Sequence, residues 1–146
     1  MARFYIFWTY FTLGVKELMG YILIVDDEPP IRSLLEEVLQ EFGYTTKSVA
    51  DGWECLRVAK SKNKPVMILL DHQMPGITGL DVLSLLKQNR ATADIPIIMI
   101  SSSNEIKGEA ESQGACVVLE KPFDINMLIE HIKTILSDSY CRNEMR

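Results

Sequence analysis

The sequence predicts one α/β domain in which five parallel strands form a doubly wound sheet with five helices. Short β-type runs alternate five times with stretches of helical periodicity, which is typical of successive strand and helix units. Most of these runs are continuously apolar, as expected of strands that helices cover on both faces. A chain of 146 residues is long enough for one full hydrophobic core and too short for two ordinary ones.

The predicted strands cover residues 21–25, 45–49, 66–70, 95–100 and 116–119. Each is followed by a segment with apolar residues at helical spacing. Pro29 suits the first turn of the first helix, because proline lacks the N–H that this turn leaves unpaired. Asp51 and Asp124 can cap the second and the last helix, since a carboxylate accepts hydrogen bonds from free backbone N–H groups.

The fourth helix is predicted to be the least stable of the five. Only two residues between 104 and 113 are apolar. Gly108 lies in its middle, where glycine is about 1 kcal/mol less favourable than alanine. Ser102 and Glu105 match the spacing of a capping box at its start.

Three regions are expected along the chain. Residues 1–18 are rich in aromatic and aliphatic side chains and are uncharged from Phe4 to Val15, a stretch shorter than a membrane span needs. We expect this segment to be an extension outside the fold. The domain is expected to cover residues 19–137, and residues 138–146 form a polar tail.

Charge and cysteine content exclude several classes of function. The formal net charge is −5 and there is no cluster of lysine or arginine, so direct binding to nucleic acid is not expected. Cys55, Cys116 and Cys141 are odd in number and form no CxxC pair, which argues against a disulfide framework or a zinc site. The pattern fits a reducing cytoplasm, with Cys55 and Cys116 as small core residues.

Polar residues end most of the predicted strands. Asp26 and Asp27 follow the first strand, Asp71 the third, Ser101 the fourth, and Lys121 lies just after the fifth. In a doubly wound sheet the ligand site lies beyond these carboxyl ends, so the side chains should converge. Carboxylates that close repel one another unless a cation is present. Oxygen ligands without histidine or cysteine favour Mg²⁺ over zinc.

This set of groups suits phosphoryl transfer, in which a protein mainly positions groups and neutralises charge. Asp71 would be the nucleophile and would become an aspartyl phosphate. Mg²⁺, Lys121 and the Ser101 hydroxyl would each stabilise one phosphoryl oxygen. That role explains why a run of buried aliphatic residues ends on an aspartate.

Four sequence elements at matching spacings then resemble a known family. They are VDDE at 25–28, LLDHQMPGITG at 69–79, IPIIMISS at 95–102 and EKPF at 120–123. Together they resemble the response-regulator receiver domains of two-component signalling, over residues 19–137. The resemblance implies a flavodoxin-like sheet with strand order 2-1-3-4-5.

The resemblance also implies a mechanism and partners. A sensor histidine kinase, a phosphotransfer protein or a small phosphodonor would phosphorylate Asp71, and Ser101 and Lys121 would contact the phosphoryl group and carry the switch. The implied Mg²⁺ ligands are Asp26 (through water), Asp27, Asp71 and the backbone carbonyl of Gln73. The chain would catalyse only its own phosphorylation and possibly its dephosphorylation, so it would not be an enzyme in the ordinary sense. Its output would be a protein-binding face for a downstream protein target.

Two departures from the family pattern concern the output. Val118 stands three residues before the lysine, where the family often has an aromatic residue that rotates on activation. The stretch from Ser101 to Gly114 is about two residues shorter than usual, which shortens the region of the fourth helix.

Three alternatives stand beside the receiver interpretation. A receiver fold could bind proteins independently of phosphorylation. A phosphohydrolase of the haloacid-dehalogenase type would carry a second aspartate at the position of Gln73. A flavin-binding protein would need a phosphate cradle after the first strand, where DDEPP would instead repel phosphate.

Overall fold

Five parallel strands form one sheet, and its strand order, 2-1-3-4-5 in chain numbering, is the one that the family resemblance implies. The computed structural model describes the backbone of residues 20–144 and the side chains of residues 20–138. The elements, in chain order, are β1 (Tyr21–Val25), α1 (Pro29–Glu41), β2 (Thr45–Val49), α2 (Gly52–Ala59), β3 (Met67–Asp71), α3 (Gly79–Gln88), β4 (Ile97–Ser101), α4 (Lys107–Ser112), β5 (Val117–Glu120) and α5 (Ile125–Glu144). A 3₁₀ turn, Asn104–Ile106, leads into α4. The predicted fold class is confirmed.

Helices cover the sheet on both faces, because the side chains of successive strand residues point to opposite sides. In β1, Ile22 and Ile24 pack with α1 and α5. The intervening Leu23 and Val25 pack with α2, α3 and α4. Strands β1, β3 and β4 are buried throughout, which explains their continuous apolar sequences.

Several boundaries differ from those predicted. Asp71 and Ser101 are the last residues of β3 and β4 rather than the first residues after them. Both are therefore fixed by ladder hydrogen bonds of the sheet. Helix α5 extends to Glu144, so its backbone continues through most of the predicted polar tail at 138–146. The predicted extension at 1–18 lies outside the described residues.

The start of α4 corrects one prediction. Ser103, not Ser102, caps the 3₁₀ turn, and its Oγ accepts a hydrogen bond of 3.1 Å from the backbone N–H of Glu105. The difference arises because β4 includes Ser101, which moves the cap one residue along the chain. Helix α4 itself has six residues, of which only Ala110 is buried.

The two cysteines whose side chains are described have different environments. Cys55 is buried in α2, as predicted, whereas Cys116 is exposed. The prediction for Cys116 was wrong because β5 begins only at Val117, which leaves Cys116 in the connection before the sheet. Among the described helices, none is long and apolar enough to cross a membrane.

Gly79 permits the close approach of α3 to the end of β3. A Cβ atom at this position would collide with the carbonyl oxygen of Asp71 and would lie 2.7 Å from the Cα of His72. Both are backbone atoms, which cannot rotate away as a flexible side chain can. Glycine at this position therefore lets α3 begin directly against the backbone of Asp71.

We predict that Gly79→Ala destabilises the protein, because the added methyl group must displace backbone of β3 or α3. The free energy of unfolding should fall by about 2–4 kcal/mol, since overpacking against backbone is costly. Gly108→Ala is the matched control: its Cβ would meet no atom within 4 Å, and it should stabilise α4 by roughly 0.5–1 kcal/mol. Urea unfolding of both variants measures the two effects. Equal stability of the two variants would contradict the packing argument.

Candidate functional site

Three carboxylates converge at the carboxyl edge of the sheet. Asp26 directly follows β1 and Asp71 ends β3, and these neighbouring strands pair Val25 with Leu70. Asp26 and Asp71 are each only 2% exposed, and Asp27 is half-buried beside them. One oxygen atom of each carboxylate lies within 4.8 Å of the other two. We call these three residues the acidic cluster.

Lys121 supplies the positive charge at the acidic cluster. Its Nζ lies 3.5 Å from Oδ2 of Asp26 and 3.4 Å from Oδ1 of Asp71. The backbone N–H of Lys121 donates a hydrogen bond of 2.7 Å to the carbonyl of Ser101, which ties the end of β5 to the end of β4. The sheet therefore brings together groups that are 95 residues apart in sequence.

Burial and charge act on the two central groups in opposite directions. Burial, together with the nearby charge of Asp26, raises the pKa of Asp71 to about 6, although Lys121 partly lowers it. Burial by itself would lower the pKa of Lys121, but Asp71 and Asp26 outweigh it, so this pKa is raised. Lys121 therefore stays protonated, whereas ionisation of Asp71 costs free energy in the folded protein.

Backbone and side-chain contacts hold Asp26 in place. Its Oδ1 accepts a hydrogen bond of 2.9 Å from the N–H of Glu28, and its carbonyl accepts one of 2.7 Å from Nη1 of Arg32. Arg32 reaches back from α1, one turn after Pro29 begins the helix. The loop after β1 is therefore fixed by α1.

The donor set of the acidic cluster fits a hard divalent cation. Oδ1 of Asp71 is buried and, among the described residues, receives no hydrogen bond, so it has a free lone pair. A buried acceptor without a hydrogen bond is unusual in proteins, and here only the ion pair with Lys121 partly compensates it, which leaves room for a cation ligand. Three carboxylates without histidine or cysteine match the oxygen ligands that Mg²⁺ prefers.

Ser101 lies beside the acidic cluster but bonds elsewhere. Its Oγ is completely buried and accepts hydrogen bonds of 3.1 Å from Nε2 of Gln73 and 3.1 Å from the N–H of Ser103. His72, which follows Asp71, turns its ring toward α3, where Nδ1 accepts a long hydrogen bond of 3.4 Å from the N–H of Leu80. The ring of His72 therefore faces the start of α3 rather than the acidic cluster.

A family model described as the response regulator receiver domain matches residues 22–133, which is most of the chain. This chain belongs to that family.

Two curated relatives give the scale of the similarity. Sporulation initiation phosphotransferase F of Bacillus subtilis is 36% identical over 117 residues, which are 79% of this chain and 92% of that protein. The phosphate regulon transcriptional regulatory protein PhoB of Pseudomonas aeruginosa is 35% identical over 117 residues, or 79% of this chain and 51% of that protein. This receiver domain chain therefore spans about half the length of PhoB.

A solved structure supports the same assignment. The response regulator TrrA of Thermotoga maritima, in complex with Mg²⁺ and BeF, is 36% identical and has a TM-score of 0.72. The match covers 80% of this chain and 98% of that chain.

The structure brings four of the predicted site residues into one cluster: Asp26, Asp27, Asp71 and Lys121. Ser101 ends the adjacent strand β4, and Gln73, whose backbone carbonyl is the fourth predicted metal ligand, follows Asp71 by two residues. The roles assigned to all six residues stay predictions.

Sequence reasoning missed two contacts at this site. It did not identify Arg32 as a support for Asp26, although a basic residue in the first turn of a helix after an acidic loop is a usable signal. It also did not predict that the side-chain amide of Gln73 would bond to Ser101, 28 residues away. A contact of that kind depends on the register of two strands, which local sequence does not specify.

We predict that Asp71→Asn stabilises the metal-free protein at pH 7.5. The pKa of Asp71 rises to about 6 on folding, so its ionisation costs stability as pH rises from about 4 to 6, and the loss persists above that. The gain in the free energy of unfolding should be about 1–3 kcal/mol at pH 7.5 and should disappear near pH 4. Urea unfolding with a chelator at both pH values measures it.

Asp94→Asn is the control for this variant, because Asp94 is exposed and lies outside the acidic cluster. It should leave stability nearly unchanged at both pH values. A stability gain for Asp71→Asn that is the same at pH 4 and pH 7.5 would contradict the assigned cause.

We predict that Lys121→Met binds Mg²⁺ more tightly than the parent. The ammonium group lies within 3.5 Å of two carboxylates and repels an incoming cation. Removing it should tighten Mg²⁺ binding by about fivefold, as expected for one charge lost from a partly screened site. Isothermal titration calorimetry measures the change, with Lys133→Met on the exposed side of α5 as the control. Unchanged or weaker binding would mean that Lys121 does not compete with the metal.

Proposed function

We propose that this receiver domain is a phosphorylation-controlled switch of a two-component pathway, with Asp71 as the phosphoacceptor. The observation that carries the proposal is the buried Oδ1 of Asp71, which receives no hydrogen bond within the described residues and lies 3.4 Å from Nζ of Lys121, beside two further carboxylates. A nucleophile with a free lone pair and charge-neutralising groups within a few ångströms is what phosphoryl transfer requires.

In the proposed reaction a carboxylate oxygen of Asp71 attacks phosphorus, and the bond from phosphorus to the donor nitrogen or oxygen breaks. The leaving group takes the electron pair of that bond: a histidine nitrogen is then protonated by solvent, whereas acetate leaves acetyl phosphate as the anion. With a pKa of about 6, most of Asp71 is ionised at neutral pH even before a metal binds. Lys121 would move from the carboxylate to a phosphoryl oxygen, and Ser101 would donate its hydroxyl proton to another.

Mg²⁺ fits the acidic cluster and, when bound, would neutralise charge on the phosphoryl group. We propose Asp27, Asp71 and the carbonyl of Gln73 as direct ligands and Asp26 as a ligand through water. The hydrogen bond from Glu28 to Asp26 supports this division, since it already occupies one oxygen of Asp26.

The partners follow from the family. We infer that the phosphoryl donor is a sensor histidine kinase or a phosphotransfer protein and that a downstream protein reads the switch. The net charge of −5 argues against direct contact with nucleic acid. The cytoplasm is the compartment that fits these partners and the cysteine pattern.

The chain is proposed to act on itself and not to turn over an external substrate. A phosphohydrolase with an aspartyl phosphate needs a second acid near the nucleophile. Gln73 stands at that position, and its amide is engaged by Ser101 and Ser102. Residues 19–137 would form the complete switching unit.

The route by which phosphorylation changes the binding face should differ from that in receivers with an aromatic switch residue. Val118 is half-buried and packs against the core cluster under α2, α3 and α4. A valine has no ring to rotate between two positions, so we propose that the signal reaches α4 through the loop after Ser101.

Incubation with acetyl phosphate tests the function. Intact mass spectrometry should detect a single phosphoryl adduct that requires Mg²⁺ and is absent from Asp71→Asn. Asp94→Asn, which changes an exposed aspartate in the same way, should be phosphorylated like the parent. A folded parent that binds Mg²⁺ but forms no adduct would favour a protein-binding role independent of phosphorylation.

A further inference from the structure

The side-chain amide of Gln73 joins the end of β3 to the loop after β4. Its Nε2 donates a hydrogen bond of 3.1 Å to Oγ of Ser101, and its Oε1 accepts one of 3.1 Å from the N–H of Ser102. Both ends of one amide are thus bound to consecutive residues, the last residue of β4 and the first residue of the loop after it. We call this pair of hydrogen bonds the Gln73 bridge.

The bridge continues toward α4 through Ser103. The N–H of Ser103 donates to the same Oγ of Ser101, and its own Oγ accepts from the N–H of Glu105 in the 3₁₀ turn before α4. A serine hydroxyl has two acceptor positions and one proton. Gln73 and Ser103 fill both acceptor positions of Ser101, so the hydroxyl is held in one orientation.

We propose that Gln73 is a positioning residue that holds Ser101 and the start of α4 in their unphosphorylated arrangement. The inference rests on the proposed function of Asp71 and identifies the contacts that phosphorylation must break. It assigns to the Gln73 side chain a role separate from that of its backbone carbonyl.

Competition for Ser101 is the physical basis of this role. Oδ1 of Asp71 receives no hydrogen bond within the described residues, so the Ser101 hydroxyl does not donate its proton to that oxygen, while Gln73 and Ser103 occupy its lone pairs. A phosphoryl oxygen on Asp71 would be a strong, charged acceptor for the hydroxyl proton. In the proposed switch, Ser101 turns its proton toward this oxygen, which strains its bonds from the Gln73 amide and from the N–H of Ser103 and draws the start of the loop toward Asp71.

The strength of the bridge suits a reversible switch. Gln73 is exposed and its bond to Ser102 lies at the surface, so water can replace Gln73 as the acceptor for the N–H of Ser102. Such bonds contribute little net stability each. A phosphoryl group can therefore break both, and the bridge returns when that group is lost. Coupling by this route needs no aromatic residue at Val118.

Binding of beryllofluoride with Mg²⁺, a mimic of the aspartyl phosphate, tests the proposal. Gln73→Met keeps the length of the side chain and removes both hydrogen bonds. Since the mimic no longer has to break the bridge, it should bind this variant about fivefold more tightly than the parent. Damage to the site would instead weaken binding, so the direction of the change separates a positioning role from a structural one.

Gln88→Met is the matched control. Gln88 also donates from Nε2 to a serine hydroxyl, that of Ser84 at 2.7 Å, but on α3 and away from the bridge. It should bind the mimic like the parent. Equal affinity of Gln73→Met and the parent, or weaker binding by Gln73→Met, would overturn the proposal.

Amide hydrogen exchange without the mimic gives a second measurement. The N–H of Ser102 loses its acceptor in Gln73→Met and should exchange several-fold faster, whereas exchange in β3 should not change. Unchanged exchange at Ser102 would also overturn the proposal. Failure of the proposed function is distinguishable, because the parent itself would then not bind the mimic or be phosphorylated by acetyl phosphate.

Discussion

Repulsion between two buried carboxylates is the constraint on which this structure depends. Asp26 and Asp71 are almost fully buried on adjacent strands, and burying charge is favourable only with compensation. Lys121 follows β5, and its ammonium group supplies part of this compensation. The contact requires that the ends of β1, β3 and β5 lie at one edge of the sheet. The strand order places these ends together. The remaining imbalance is visible in the raised pKa of Asp71 and makes a cation a favourable addition.

The proposed phosphoacceptor, Asp71, and the helix proposed to carry the signal, α4, belong to opposite faces of the sheet. Asp71 is in phase with Met67 and Leu69, which face the layer of α1 and α5. Strand residues of the opposite phase, such as Met99 in β4, face α2, α3 and α4. Ser101 has that phase, so it lies between the acceptor on one face and α4 on the other. In the proposed switch, a hydroxyl in this position would respond to the charge at Asp71 and alter the contacts of the helix.

The elements and the site cluster could be predicted because they depend on local patterns. Continuous apolar runs identify buried strands, and the residues that end those runs must meet at one edge. The ends of strands and helices do not follow from these patterns alone. Strand β4 extends to Ser101, and Ser103 rather than Ser102 therefore caps the 3₁₀ turn. Cys116 was misplaced for a similar reason, since an apolar residue beside a strand looks like part of it. The Gln73 bridge depends on strand register, which no local pattern records.

Helix α4 contributes only Ala110 to the core, and this has a consequence for evolution. Substitutions at exposed positions usually change stability by less than about 0.5 kcal/mol. Most of α4 can therefore change in sequence without loss of folding and without touching the acidic cluster. Duplicated copies of such a gene could acquire new binding partners through this helix while each keeps the same phosphoacceptor chemistry.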